Sequence, residues 1–109
     1  MKVLTTSEVK EYLNNLVTIL HEKEHFGFHE SARKYAVNLL DNIVINLPKR
    51  VHKPAPKYFD RYEKNMYYAT FKKNKQTTWY VFFTKYNKND EIIYLVHYIA
   101  NNHTIAQYL

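Results

Sequence analysis

The sequence predicts an α+β domain in which an N-terminal helical hairpin packs on one face of a three- to five-stranded, mainly antiparallel sheet. Two amphipathic helical patterns precede Pro48, and strand-like runs rich in β-branched and aromatic residues follow it. The 109 residues include one glycine against eleven tyrosines and six phenylalanines. This size and composition predict a single domain over residues 1–109, with a core packed by large rings.

The positive charge of the chain is concentrated in one region. The net charge is +6 and the isoelectric point is near 9.4. Nine lysines or arginines lie between Lys49 and Lys75, against only two acidic residues, Asp60 and Glu63. Such a cluster favours contact with the phosphate backbone of a nucleic acid. A solvated surface without that role would have the same composition, so both interpretations stay open.

Several sequence features bear on the cellular compartment. The chain has no cysteine, which excludes disulfides and cysteine-bound metals and fits a cytoplasmic protein. No apolar run is long enough to span a membrane, and the first residues lack the apolar core of a signal peptide. We therefore expect a cytoplasmic protein without a membrane partner and without a cofactor.

The N-terminal third predicts a short edge strand over residues 2–4 and then a helix. Thr5 and Glu8 have the spacing of a capping box. Apolar side chains at helical spacing predict helix 1 from about residue 7 to residue 25; they are Val9, Tyr12, Leu13, Leu16 and Leu20. Gly27 follows where a left-handed C-cap favours glycine.

A second apolar stripe predicts helix 2 from about residue 30 to residue 46, ended by Pro48. Its members are Tyr35, Ala36, Leu39, Leu40, Ile43 and Leu47. Two amphipathic helices joined by a few residues form a hairpin, and each can lay its stripe on the same face of a sheet.

The remainder of the chain predicts three or four strands after a proline-containing linker at residues 48–56. The strongest runs cover residues 77–85 and 91–100, a weaker one covers residues 66–72, and a short one covers residues 57–62. Polar turns at Asn74 and at residues 87–90 separate them. Consecutive strands joined by short turns predict an antiparallel meander.

The two strongest runs lack a polar face, so both faces of the sheet should be apolar. In the first run, Trp79, Val81 and Phe83 are predicted to share one face, and Tyr80 and Phe82 the other. In the second run, one face is predicted to carry Ile93, Leu95, His97 and Ile99, and the other Tyr94, Val96 and Tyr98. Because two helices cover one face, the second should be aromatic and partly open, as a binding surface for another chain or for bases. Alternatively, the C-terminal tail folds over it. His97 is interpreted as a core histidine.

Residues 21–25 match the H-E-x-x-H motif, in which two histidines bind zinc and the glutamate activates water. The match falls at a polar helix end directly before Gly27, whereas a catalytic motif needs a rigid helix in a cleft. We therefore predict no metal site here, and adventitious binding by His21, His25 and His29 is the alternative.

The residues after the last strand are the main candidates for chemistry. His103 and Tyr108 could perform acid–base catalysis on a ribose 2′-hydroxyl and a 5′-oxygen, with nearby cations stabilising the charge on phosphorus. An ordinary Asn-rich turn and packed tail is the alternative. Residues 57–64 alternate rings and charges, which would suit either base stacking or a self-paired edge strand.

The order of elements, the run Trp79–Phe83, the strand at residues 92–99 and the terminal Asn102, His103 and Tyr108 resemble the RelE/ParE toxin superfamily. Proteins of this superfamily place a helical hairpin before an antiparallel sheet. RelE-like members are ribosome-dependent endoribonucleases that cut messenger RNA, and ParE-like members act on DNA gyrase. A partner antitoxin neutralises both kinds.

The resemblance implies a toxin of a toxin–antitoxin system, with an antitoxin and RNA on the ribosome as partners. His103 would be the catalytic acid or base and Tyr108 a positioner or second proton donor. No arginine follows Arg61, so the expected phosphate contacts are Lys53, Lys57, Arg61, Lys64, Lys72 and Lys73. The alternative is a non-catalytic module of the same fold that binds a protein through its aromatic face. The sequence leaves a homodimer open.

Overall fold

A computed structural model of the chain describes residues 1–23 and 29–109, with side chains over residues 1–18 and 31–109. The predicted α+β class is confirmed. The elements are β1 (Lys2–Thr5), α1 (Ser7–Lys23), α2 (His29–Asn46), β2 (Lys53–Pro54), β3 (Tyr67–Lys72), β4 (Thr78–Lys88), β5 (Glu91–Asn101) and α3 (Asn102–Ile105). In the described part, 3₁₀ helices occur at Leu47–Lys49, Lys57–Arg61 and Ala106–Tyr108.

The described strands form one five-stranded sheet in the order β1-β5-β4-β3-β2. β1 lies parallel to β5, and all other neighbours are antiparallel, so the predicted mainly antiparallel sheet is confirmed. The predicted N-terminal edge strand is confirmed as β1. It pairs with β5 only as far as Val96, and the C-terminal part of β5 therefore extends past it.

The helices α1 and α2 contact each other and pack on one face of the sheet. The buried side chains of the two helices and of this sheet face form the main core, which includes Leu16, Ala36, Leu39, Ile43, Phe71, Trp79, Val81, Phe83 and Val96. The indole Nε1 of Trp79 donates to the hydroxyl of Tyr35 at 2.9 Å, which satisfies the polar atom of a fully buried ring. Residues 24–28, with the predicted C-cap at Gly27, lie outside the described residues.

The capping interaction of α1 is made by Thr6 and not by Thr5. The Thr6 Oγ1 accepts from the amide of Val9 at 3.3 Å, and its carbonyl accepts from Lys10 at 3.0 Å. Thr5 is still a member of β1, where it pairs with Val96. The predicted Thr5–Glu8 capping box is therefore wrong by one residue, because β1 continues one residue further than expected.

The predicted strand at residues 57–62 is wrong, since Lys57–Arg61 form a 3₁₀ helix. Its rings at Phe59 and Tyr62 are three residues apart, and a helix of three residues per turn places them on the same side. Phe59 is fully buried there. The edge strand is Lys53–Pro54 instead, and the proline suits an edge because it has no N–H to donate.

A β-bulge shifts the alternation of β5. Phe82 of β4 lies opposite Tyr98, whereas the next residue, Phe83, lies opposite Val96, so His97 is an extra residue. After His97, each side chain of β5 lies on the opposite face from the one that it would occupy in a strand without the bulge. Ile99 therefore joins Val96 in the main core, while Tyr98 contacts the second face. The predicted grouping of Ile99 with His97 and that of Tyr98 with Val96 are wrong for this reason.

The β4–β5 hairpin closes through Asn89 and Asp90, both with positive φ (52° and 63°), although neither is glycine. Lys88 and Glu91 pair directly on either side. A two-residue turn with positive φ at both positions favours Asn-Gly. We expect Asp90→Gly to raise the free energy of unfolding by about 0.5–1 kcal/mol, as measured by urea denaturation, because the Cβ strain is removed.

Asn87→Gly is the matched control for this prediction. Asn87 lies in β4 opposite Ile92, and glycine within a strand loses backbone entropy and stability. The two variants should therefore change stability in opposite directions. Equal destabilisation by both would contradict the strain assigned to Asp90.

Candidate functional site

The asparagines after β5 organise the region that carries His103. The Asn101 side chain caps α3 by accepting from the amide of His103 at 3.0 Å. The Asn102 Oδ1 accepts from the amide of Thr78 at 2.9 Å, and its Nδ2 donates to the carbonyl of Gln76 at 3.1 Å. These bonds fasten α3 to the start of β4. The Asn-rich stretch therefore has a structural role.

His103 is exposed and lies beside the β3–β4 turn. Its Nε2 is 3.1 Å from the Thr77 Oγ1, and the carbonyl of Thr77 accepts from the amide of Lys73 at 2.9 Å. Lys72, Lys73 and Lys75 are all exposed in this turn, which we call the basic turn (residues 72–75). The structure therefore places His103 beside the turn that carries Lys72 and Lys73, two of the predicted phosphate contacts, but the ammonium of Lys73 lies 4.7 Å from the ring centroid of Tyr35 on α2.

Tyr108 lies in a different cluster from His103. Its ring stacks on Tyr58 at 3.6 Å with an interplanar angle of 9°, and the Arg61 guanidinium lies 3.8 Å from the same Tyr58 ring. The Arg61 Nε also donates to the Tyr58 carbonyl at 3.0 Å. We call Arg61, Tyr58 and Tyr108 the tyrosine stack. Tyr58 is held between a cation and a second ring, so a further flat group would stack on the outer face of Tyr108.

The environment of Tyr108 determines which proton chemistry its phenol can perform. Hydrogen bonding to Tyr58 raises the pKa of Tyr108, and the charge of Arg61 acts in the opposite direction. A phenol is protonated at neutral pH even at its ordinary pKa, and a raised pKa makes it a weaker acid. The shift therefore favours a role for Tyr108 in positioning a group through its hydroxyl over a role in proton transfer.

The remaining predicted phosphate contacts are spread along the sheet edge. Lys57 is exposed in the same 3₁₀ helix as Tyr58 and Arg61, next to the tyrosine stack. Lys64 is exposed in the turn that follows. Lys53 lies on β2, three strand spacings from β5, which is roughly 14 Å across the sheet. The structure therefore does not bring Lys53 together with His103.

The second face of the sheet is filled at its centre. Phe59 stacks on Phe82 at 4.2 Å, and both are fully buried. Ile105 of α3 is also buried in this second core, together with Met66 and Ala100. Tyr68, Tyr80 and Tyr98 are half-buried around it. The aromatic face is thus covered by the 57–61 helix and the C-terminal tail, with an accessible rim of tyrosines.

A cavity of about 590 Å³ lies where β5 extends past β1. We call it the β5 cleft, and it is lined by Thr6, Glu8, Val9, Tyr12, Arg61, Tyr62, His97, Tyr98 and Ile99. One wall comes from the start of α1 and the other from Arg61 and Tyr62. Since Arg61 also belongs to the tyrosine stack, the cleft and the stack are continuous.

The sequence interpretation of His97 as a core histidine is wrong, because the bulge places it in the β5 cleft. It is half-buried, and its Nε2 lies 3.0 Å from the Thr84 Oγ1. Burial lowers the pKa of His97, while Glu63 and Glu8 act in the opposite direction. A histidine at this position does not indicate a bulge. Regular alternation was therefore expected along β5, and the cleft could not be predicted.

Two tyrosines of the β5 cleft also have shifted pKa values. Burial, and then a hydrogen bond with Tyr62, raise the pKa of Tyr98, whose ring stacks on Tyr62 at 3.9 Å. Burial also raises the pKa of Tyr12. Shifted groups gathered in a cavity are typical of binding and catalytic sites.

The lowered pKa of His97 predicts a pH dependence of stability. The unfolded histidine, with a pKa near 6.5, binds more protons than the folded one below that pH, so the free energy of unfolding falls as the pH drops through this window. His97→Gln removes this contribution. We expect the melting temperature of the wild type to fall more than that of His97→Gln between about pH 7.5 and pH 5.5. Parallel pH profiles would contradict the burial of His97.

Two further properties concern the described residues. No group of three His, Asp or Glu side chains in the described part could hold a metal ion. The H-E-x-x-H side chains at residues 21–25 lie outside that part. None of the described helices combines the length and apolar composition needed to cross a membrane.

Comparisons of the chain with protein-family models, with curated proteins and with solved structures find no match. The resemblance to the RelE/ParE superfamily thus depends on the sequence features named above. The function has to be inferred from the side chains at the C-terminal end of β5, where the basic turn, His103, the tyrosine stack and the β5 cleft lie.

Proposed function

We propose that the chain is the toxin of a toxin–antitoxin system and cleaves messenger RNA on the ribosome without a metal. The observation that carries this proposal is the placement of an exposed imidazole beside a lysine-rich turn, next to stacked tyrosines with a guanidinium. His103 and Tyr108 are separated by one short helical segment, about 8–10 Å along its axis. A dinucleotide step of RNA can extend over this distance.

The proposed reaction needs only side chains of this chain and the RNA itself. A base removes the proton of a ribose 2′-hydroxyl, whose oxygen attacks the adjacent phosphorus. The bond from phosphorus to the 5′-oxygen breaks, and an acid protonates the leaving oxygen, which yields a 2′,3′-cyclic phosphate and a 5′-hydroxyl. His103 performs one of these transfers, and Tyr108 serves as a positioner or as the second proton donor.

The cations have two separate tasks in this proposal. Lys72, in the basic turn beside His103, stabilises the negative charge that develops on the phosphate oxygens, and Lys73, whose ammonium lies on the Tyr35 ring, adds to the local positive potential. Lys57 and Arg61 hold the neighbouring phosphate while a base stacks on the tyrosines. Lys53 and Lys64 lie further away and attract RNA through charge alone, an effect that salt should weaken.

The proposed antitoxin is an acidic protein that covers this basic surface. An apolar stripe on the outer side of α2 supports a protein partner as well. Its side chains Val37, Val44 and Ile45 are 50%, 45% and 62% exposed and recur at helical spacing. A small acidic open reading frame beside this one is the expected source of the antitoxin.

Cleavage of messenger RNA by purified protein and ribosomes tests the proposal. We expect His103→Ala to slow cleavage by about 100-fold or more, because general acid–base catalysis contributes that much. The control is Asn15→Ala, an exposed position on α1 that should leave the rate unchanged. Equal rates for wild type and His103→Ala would remove His103 from the mechanism. No cleavage by the wild type would refute the nuclease.

A further inference from the structure

The β5 cleft is a cavity that shares only Arg61 with the residues assigned to the proposed cleavage reaction. Its volume of about 590 Å³ falls within the usual range of small-ligand pockets. Both layers of the fold contribute walls, so the cleft is held by the packing of α1 on one side and of Tyr62 on the other. A cavity of this size can hold one nucleotide.

The aromatic wall of the cleft offers a stacking surface. Tyr62 lies parallel to Tyr98, with ring centroids 3.9 Å apart and an interplanar angle of 8°. Tyr98 is half-buried, whereas Tyr62 is 41% exposed and presents the accessible ring of the pair. Stacking on such a ring holds any nucleobase, because every base has a π face.

The charged groups of the cleft provide selectivity among bases. Glu8 lies on the α1 wall and is exposed, and its carboxylate has two acceptor oxygens, of which Oε2 also accepts from the Ser7 hydroxyl at 3.4 Å. Guanine carries two adjacent donors, N1–H and the N2 amino group, which match a carboxylate in a paired arrangement. Adenine, cytosine and uracil lack this donor pair. The Glu8 carboxylate therefore favours guanine, and its negative charge disfavours a phosphate group at the α1 wall of the cleft.

The opposite wall is suited to the phosphate group. Arg61 lines the cleft; its Nε donates to the Tyr58 carbonyl, and its guanidinium lies over the Tyr58 ring. The terminal nitrogens of the guanidinium carry further donors, which bind phosphate oxygens in a fork. Glu8 and Arg61 thus provide an acceptor for the base and a donor for the phosphate.

A peptide strand is the other occupant to consider, because β5 beyond Val96 has only β4 as a strand partner among the described residues. Adding a strand requires a regular row of backbone donors and acceptors. The bulge at His97 interrupts that row at the middle of the cleft, and bulges commonly protect edges from such pairing. The geometry therefore favours a base over a strand.

We propose that the β5 cleft binds a guanine nucleotide, with its base on Tyr62, its Watson–Crick edge at Glu8 and its phosphate at Arg61. This inference rests on the proposed function in taking RNA as the natural source of the nucleotide. When RNA is the source, the β5 cleft holds a guanine of the RNA next to the phosphodiester bond that is cleaved. Binding itself needs neither the ribosome nor His103.

Calorimetric titration with 5′-GMP, 5′-AMP, 5′-CMP and 5′-UMP tests the inference. We expect GMP to bind at least about tenfold tighter than the other three, which corresponds to one paired hydrogen-bonding contact. Glu8→Gln should abolish this preference, because an amide can no longer accept from both donors. Tyr62→Phe should retain binding, and Tyr62→Ala should lose it at a temperature where circular dichroism shows that the variant is still folded. Equal binding of all four nucleotides, or of none, would overturn the inference.

Guanine binding and RNA cleavage can be tested separately. His103→Ala should bind GMP as the wild type does, since His103 does not line the cleft. Ribosome-dependent cleavage by a protein that binds no GMP would overturn the inference alone. Selective GMP binding by a protein that cleaves no RNA would overturn the nuclease alone.

Discussion

Phe82→Ala is expected to lower the free energy of unfolding by about 3–5 kcal/mol, the range for truncating a fully buried phenylalanine. Phe82 is completely buried at the centre of the second core. Its ring contacts Phe59 at 4.2 Å, Tyr68 at 5.6 Å and Tyr98 at 5.7 Å, measured between centroids. The packing of the 57–61 helix and of the C-terminal tail should therefore depend on this ring.

Urea denaturation of the wild type, Phe82→Ala and Ile92→Ala measures this effect. Ile92 is 40% exposed on the neighbouring strand, so its truncation should change stability by only about 0.5 kcal/mol. A loss of less than about 1 kcal/mol for Phe82→Ala would contradict a packed second core. The tyrosine stack would then lack the support assigned to it.

Arg61→Ala is expected to weaken binding of single-stranded RNA about tenfold or more at constant salt. The variant removes a charged phosphate contact and the guanidinium that lies on Tyr58. Arg61→Lys should recover only part of the loss, because lysine keeps the charge but lacks the planar fork. Fluorescence anisotropy with a labelled RNA measures both variants.

Lys88→Ala is the matched control for Arg61. Lys88 is an exposed cation opposite Glu91, at the N-terminal end of β5 and so at the other end of this strand. Its removal should reduce affinity only through the loss of net charge. Equal losses for Arg61→Ala and Lys88→Ala would mean that RNA binds the chain by overall charge and not at the tyrosine stack.

Much of this fold can be predicted from local sequence. The runs around Val81 and Val96 are long, β-branched and aromatic, and few other structures accommodate such residues. The stripes of α1 and α2 repeat at helical spacing and end at recognisable boundaries, such as the one before Pro48. The α+β class follows from these signals because each lies within a short stretch of chain.

The features that were missed depend on tertiary packing. A strand and a 3₁₀ helix are equally compatible with the rings of residues 57–62, and the burial of Phe59 decides between them. The bulge at His97 follows from how β5 fits β4, and nothing in the residue itself predicts it. The stack of Tyr58 on Tyr108 joins distant parts of the chain, so its existence could not be deduced from spacing.

The central claim is that RNA binds at the C-terminal end of β5. NMR titration of the isotope-labelled protein with a short guanine-containing single-stranded RNA tests this most directly. The backbone amides of Arg61, Tyr62, His97 and His103 should shift together, while those around Val44 on α2 stay unchanged. Shifts centred on α2, or none at a saturating RNA concentration, would contradict the claim.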